Sequence, residues 1–315
     1  IRPAIDYGAA WLPFPIAYLV LGAFLFFVIR GMARLLKKPV SLWQKLKNAV
    51  YSVLAFLGGT VFLFLFLWGF NYSRVPLEQQ LGLEPKPLSA EDIREELDIT
   101  TAAIIAARAR IPGASDSAFT AASLPAQIEP YLRRTVSGWL ERRGYPAPGR
   151  VRGRVLYAKG VLLRFGTAGI YFPFSGEGHA DAGLHPLQLP PVLAHELAHG
   201  FGFGDEGVCN FIAYSASVRS GDPFVVYASE LSYWRTLAVN YRVYEPEAYR
   251  DIREGLPAGI RNDLDAINQA MLAYPDIFPR FRDAAYNTYL KAQGVREGML
   301  SYDKVMMLVR AEREN

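Results

Sequence analysis

The sequence predicts an α+β chain: a two-helix transmembrane hairpin, then a mainly α-helical domain with a small β-sheet. Three observations carry this. Two long apolar runs, Gly8–Ile29 and Asn48–Phe70, hold no charged residue. Beyond Asn71 the composition becomes that of a globular domain, with helical periodicity on either side of two short β-rich segments. Strands grouped between runs of helices, rather than alternating with them, fit α+β better than a parallel α/β sheet.

Each apolar run reaches the roughly 20 residues that cross a hydrocarbon core of about 30 Å. Pro13 and Pro15 fall near the start of the first run, where a helix N-terminus tolerates them. Trp11 and Trp68 would mark one membrane interface, and Trp43 and Tyr51 the other. The connecting loop, 30–47, carries Arg30, Arg34, Lys37, Lys38, Lys45 and Lys47 and no acid. The positive-inside rule assigns that loop to the cytoplasm, and everything after Phe70 to the other side. A signal peptide fits poorly, because the basic residues follow the apolar run and no small-residue cleavage site is evident. The chain begins with Ile, which leaves room for a preceding segment. A transporter fits poorly too, since neither run carries an intramembrane charge.

The remaining composition narrows the function classes. Of 315 residues 51% are hydrophobic and 20% charged, with a formal net charge of +4. This excludes a disordered chain. Taking the six basic residues of the loop from the total of 34 leaves 28 against 30 acids, a net of −2. The basic balance therefore reports membrane topology, and no nucleic-acid partner is expected. The single cysteine, Cys209, excludes an intramolecular disulfide and a Cys-rich zinc finger.

Residues 71–88 are Pro-rich and aperiodic and read as a linker near the membrane surface. The domain proper, 89–315, opens at Ser89, which with Asp92 resembles a capping box ahead of Ile93, Leu97, Ile104 and Ile105 at helical spacing. A second helix is expected over Leu124–Arg143. Val151–Tyr157 and Gly169–Phe174 read as strands, and Pro173 confines the second to a sheet edge. From Pro190 onward the chain reads helical, with breaks near Gly204, at 220–223, at Pro246 and at 275–279.

All four histidines lie between His179 and His199. His195, Glu196 and His199 form HExxH. On a helix, positions i and i+4 share a face, so both imidazoles can reach one ion, with Glu196 beside a water at the same cleft. Pro190 and Pro191 suit the first turn of that helix, and Gly200 and Gly202 its end. Two buried histidines and a buried glutamate would be costly without a partner. Zn²⁺ suits such donors best, and it needs a third protein ligand. Asp205, Glu206 and, more remotely, Glu230 compete for that role. Glu206 is preferred, because a helix starting near Asp205 would leave Asp205 as its N-cap and put Glu206 and Asn210 on one face. Cys209 reads as a buried apolar residue rather than a ligand.

These segments together resemble a bacterial membrane family, domain of unknown function 3810. The resemblance rests on the two helices, NYSRVPL at Asn71–Leu77, GIYFPFSGE at Gly169–Glu177, HELAHGFGFGDEGVCNFIAY, and YLKAQGVREGMLSYDKVMMLV at Tyr289–Val309. Many members read EDEANF where this chain reads EGVCNF, so Val208 holds the place of their second glutamate and Glu206 is the shared acid. The family in turn resembles gluzincin-type zinc metallopeptidases. That likeness implies a zincin-like domain, extracytoplasmic on a bacterial inner membrane, hydrolysing a peptide or protein substrate with water activated by zinc on His195, His199 and Glu206, and with Glu196 as general base. In such enzymes an edge strand beside the HExxH helix pairs with substrate. Phe172, Phe174 and Glu177 are the resulting candidate contacts, with a salt bridge the plainer reading of Glu177. His179 is a candidate catalytic group, or else a solvated loop residue, whereas His185 reads as a loop residue. Tyr227 or Tyr214 could donate to an oxyanion, or be core tyrosines. Asn210 and Asp205 would support the ligands. The alternative is an inactive membrane-tethered binding or assembly module with a structural metal.

Overall fold

The computed structural model describes residues 6–8, 11–37, 39–277 and 304–315. Most of the Tyr289–Val309 segment, and the part of the expected 275–279 break beyond residue 277, lie outside the described residues. Two long helices come first, α1 (Ile16–Lys37) and α2 (Leu42–Leu67). Their most apolar windows have mean hydropathies of 2.1 and 2.3, and no part of either window is buried inside the protein. Phe24 touches Phe56 across the pair, ring centroids 5.2 Å apart, while apolar side chains around both helices stay exposed. Helices whose backbone groups are satisfied internally and whose apolar faces are bare fit a membrane anchor.

The hairpin's boundaries differ from those expected. α1 begins at Ile16, beyond Pro13 and Pro15, rather than at Gly8. It continues through Arg30 and Arg34 to Lys37, and α2 starts at Leu42 behind Ser41, whose hydroxyl accepts the Gln44 N–H. The basic segment is thus largely helix around a short turn. The uncharged part of α1, Ile16–Ile29, rises only about 21 Å. Its basic residues extend past the apolar core on flexible stems, as long cationic side chains do.

Residues 71–88 are not a free linker. Leu77, the first residue of the short α3 (Leu77–Leu81), and Leu83 enter the domain core. α4 (Ala90–Ala109) starts at Ser89, whose capping box with Asp92 is formed in both directions. α5 spans Ile128–Arg142. A three-stranded sheet follows, β1 (Arg152–Leu156), β2 (Gly169–Phe172) and β3 (Glu177–Asp181), in the order β1–β3–β2. β3 is parallel to β1 and antiparallel to β2, which leaves β2 at an edge, where Pro173 belongs. The sequence signals β1 and β2. The central β3, Glu-Gly-His-Ala-Asp, carries neither β-branched residues nor apolar alternation and gives no such signal.

Beyond β3 the described residues form helices α6 (Leu189–Gly200), α7 (Glu206–Ser217), α8 (Pro223–Tyr244), α9 (Pro246–Gly255), α10 (Ala258–Leu272) and α11 (Lys304–Glu314). Asp222 caps α8 by accepting the Phe224 and Val225 N–H groups. The core gathers on α6 and α7, where Leu197, Phe211 and Ile212 are fully buried together with Trp139 of α5.

One face of the sheet lies directly on α6, because glycines remove the side chains that would hold it off. A Cβ at Gly178 would meet the Glu196 Cβ at 2.5 Å and its carbonyl oxygen at 3.0 Å. One at Gly169 would meet Glu196 Oε1 at 2.5 Å. Gly178→Ala is therefore expected to destabilise the domain by about 2 kcal/mol, the usual cost of overpacking. Thermal unfolding of the variant in detergent checks this; an unchanged midpoint would show that the sheet can slide away.

Candidate functional site

α6 ends at Gly200, and the chain turns back through Gly202, whose φ of +95° suits glycine, to start α7 six residues on. The Arg74 guanidinium supports this turn by donating to the Phe201 carbonyl. The reversal brings the first turn of α7 against the histidine face of α6. His195, His199 and Glu206 each offer a donor atom within 4.8 Å of the others. The two Nε2 atoms are 3.0 Å apart, and Glu206 Oε2 lies 3.1 Å from that of His195 and 3.5 Å from that of His199.

The outer ring nitrogens fix the tautomers. His199 Nδ1 lies 2.8 Å from the Phe203 carbonyl, which can only accept, so this nitrogen carries the proton. His195 Nδ1 faces Asn210 Oδ1 at 2.7 Å and likewise donates. With each Nδ1 committed to its own partner, both Nε2 atoms face one space beside a carboxylate. Burial disfavours the Glu206 charge, but His199 and His195 outweigh it and hold the carboxyl well below its ordinary range. Burial pushes the Glu196 carboxyl up instead, and its Oε2 has no hydrogen-bond partner. Cys209 sits 3.4 Å from His199 Nδ1, on the side of the ring away from Nε2; burial pushes its thiol up to about 11, leaving it neutral.

These groups open into a cavity of about 1110 Å³. β2 forms one wall through Gly169, Ile170 and Tyr171, and Phe64 and Trp68 from the end of the membrane hairpin form another. Nothing in the sequence reading pointed to those last two as part of the site, because helix ends and interface tryptophans are common to all membrane anchors.

Several candidates lie elsewhere. Tyr227 is fully buried and donates to Asp263 Oδ2 at 2.7 Å, so it is a core tyrosine with no route to the cavity. Tyr214 does reach the cavity wall, but its hydroxyl is committed to Glu230 and Arg313. Glu230 is thereby excluded from the histidine cluster. His179 and Glu177 are corrected by strand alternation: Gly178 faces α6, so its neighbours on β3 face the opposite side. There His179 lies 3.3 Å from the Ile170 carbonyl. Glu177 is completely buried, paired with Arg152 and Arg154, and accepts the Ile16 N–H at 2.6 Å. It fastens the start of α1 to the sheet. Phe172 points away from the Tyr171 side and packs on Phe174, centroids 5.2 Å apart, and neither lines the cavity. Asp205 caps α7 through the Val208 N–H and pairs with Lys304, turned from the histidines. His185 is a loop residue whose Nδ1 accepts the Leu187 N–H.

No curated protein and no solved structure matches this chain. Residues 1–310 match the family described as protein of unknown function (DUF3810). With its apolar hairpin and its helical domain around a small mixed sheet, the chain belongs to DUF3810.

Proposed function

We propose that the protein is a zinc metallopeptidase anchored in a bacterial inner membrane, with its active site on the extracytoplasmic side. The observation that carries this reading is the pair of Nε2 atoms converging with the Glu206 carboxylate. Two Nε2 atoms 3.0 Å apart need a proton or a metal ion between them. Zn–N bonds of about 2.0–2.1 Å at a tetrahedral angle separate two nitrogens by about 3.3 Å, close to this spacing. Imidazole and carboxylate donors suit zinc. Structural zinc sites close with four protein ligands, whereas among the described residues this cluster offers three and opens into a cavity, which favours catalysis over an assembly role.

A zinc ion held there would supply a Lewis acid for the peptide carbonyl and make a water nucleophilic near neutral pH. Glu196, with its unpartnered oxygen, takes the proton of the attacking water and passes it to the leaving amine. Asn210 and the Phe203 carbonyl hold the two rings in the ligating tautomer. β2 is an edge strand beside the cavity, and an extended peptide joins a sheet at such an edge. The basic residues at the hairpin turn favour the cytoplasm, which places the domain outside.

Metal analysis of the purified full chain tests the reading: stoichiometric zinc is expected, lost in Glu206→Ala. Unchanged zinc in that variant would remove Glu206 from the ligand set. Asn210→Ala is expected to weaken zinc binding by about 10- to 100-fold, read by competition with a chelator.

A further inference from the structure

The cavity is continuous with the membrane anchor. Phe64 lies one turn inside α2, about 5 Å before the helix ends, and it lines the same cavity as His195 and Glu196. Trp68, only 5% exposed, closes the corner: its ring lies 4.6 Å from that of Tyr171 and 6.4 Å from that of His199. Nothing in Asn48–Phe70 is charged, so this wall of the cavity belongs to the stretch read as spanning the bilayer.

The domain is also tied to the start of α1, at the same end of the hairpin. Glu177 accepts the Ile16 N–H, Arg154 donates to the Leu12 carbonyl at 2.8 Å, and the Tyr18 hydroxyl donates to the Tyr157 carbonyl at 2.6 Å. Bonded to the start of α1 and packed on the end of α2, the domain holds its cavity beside the stretch read as spanning the bilayer. Three further cavity residues are apolar and exposed, Phe165 at 52%, Ile170 at 45% and Leu272 at 79%. Apolar residues left exposed around one cavity suit a surface that meets lipid or an apolar ligand. β2, the edge strand of the sheet, forms part of the same wall.

We infer that the cleft takes its substrate from the membrane: an extended peptide segment joined directly to its own apolar anchor in the same bilayer. The chemistry rests on the peptidase reading, but the route of access does not. An anchor confines the peptide to the surface where the cavity opens and raises its effective concentration there.

The test uses the full chain and its Glu196→Gln variant in phosphatidylcholine vesicles. The probes are pools of randomised decapeptides bearing one benzophenone, either free or joined without a spacer to a hexadecanoyl chain, and an acylated benzophenone with no peptide. Photo-adducts on cavity residues are mapped by mass spectrometry. Cavity adducts of the anchored pool about tenfold or more above those of the free pool are expected. Equal yields from the two pools, or cavity adducts from neither, would overturn the inference. Equal capture of the peptide-free lipid would overturn it in favour of a lipid substrate. Anchored peptides that reach the cavity but are left uncut by the zinc-loaded wild type would sink the peptidase reading and leave the inference standing. Free and anchored pools cut at equal rates would do the reverse.

Discussion

Glu196→Gln is expected to lower peptide hydrolysis by about 10²- to 10⁴-fold, the span contributed by a general base, while zinc content stays at the wild-type level. The amide has the shape of the carboxylate and no capacity to take up the proton of water. The site's geometry predicts that the fold will accept the change. Glu196 is almost fully buried, and burial disfavours its charge, so a neutral side chain removes a desolvation cost. Its Oε2 has no partner to lose. The carboxylate also stands outside the His195–His199–Glu206 cluster, so metal affinity has no reason to fall. Parallel metal analysis and peptide-pool assays decide the matter. Intact zinc with undiminished hydrolysis would eliminate Glu196 as the base, and loss of zinc would mean that its place in the site is structural.

The parts of this site that were legible in the sequence are those set by short-range geometry. HExxH fixes two imidazoles on one helical face without reference to the rest of the fold. The glycines and Asp205 after it signal a helix end and a new N-cap, which set Glu206 opposite the histidines. The hairpin was legible for a similar reason: length and absence of charge are local properties. The residues misread were those whose side-chain direction depends on sheet register. Glu177, His179 and Phe172 sit close to the motif in sequence, yet alternation along β2 and β3 turns each away from it. Their true neighbours come from far along the chain, as Ile16 does for Glu177. Trp68 and Phe64 were missed for the converse reason, since only tertiary docking brings the end of α2 into the cavity. The glycines of β2 and β3 do leave a mark in the sequence. Gly169 and Gly178 are unusual inside strands, and such residues mark a close backbone approach, which here is the approach to Glu196.

The largest loss of stability is expected far from the cavity, on substituting Asp263. This carboxylate of α10 is completely buried and collects three donors: Arg108 Nε at 2.9 Å, the Phe119 N–H at 2.8 Å and the Tyr227 hydroxyl at 2.7 Å. Arg108 is also buried and spends its other nitrogens on the Ser115 and Ser117 carbonyls, so it cannot swing out to water without breaking that loop. Asp263→Ala would strand its charge in the core, a change that costs about 3–5 kcal/mol. Tyr227→Phe removes one donor and leaves the ion pair intact, so about 1.5–3 kcal/mol is expected, the range for a hydrogen bond to a charged group. The pair of variants separates packing from chemistry. If Tyr227 is the core residue its burial implies, Tyr227→Phe lowers the unfolding midpoint in detergent while zinc content and hydrolysis per folded molecule hold steady. A drop in hydrolysis without a drop in stability would return Tyr227 to the active site. An Asp263→Ala chain as stable as the wild type would show that Arg108 finds another partner, and that the α4–α10 contact is held by apolar packing alone.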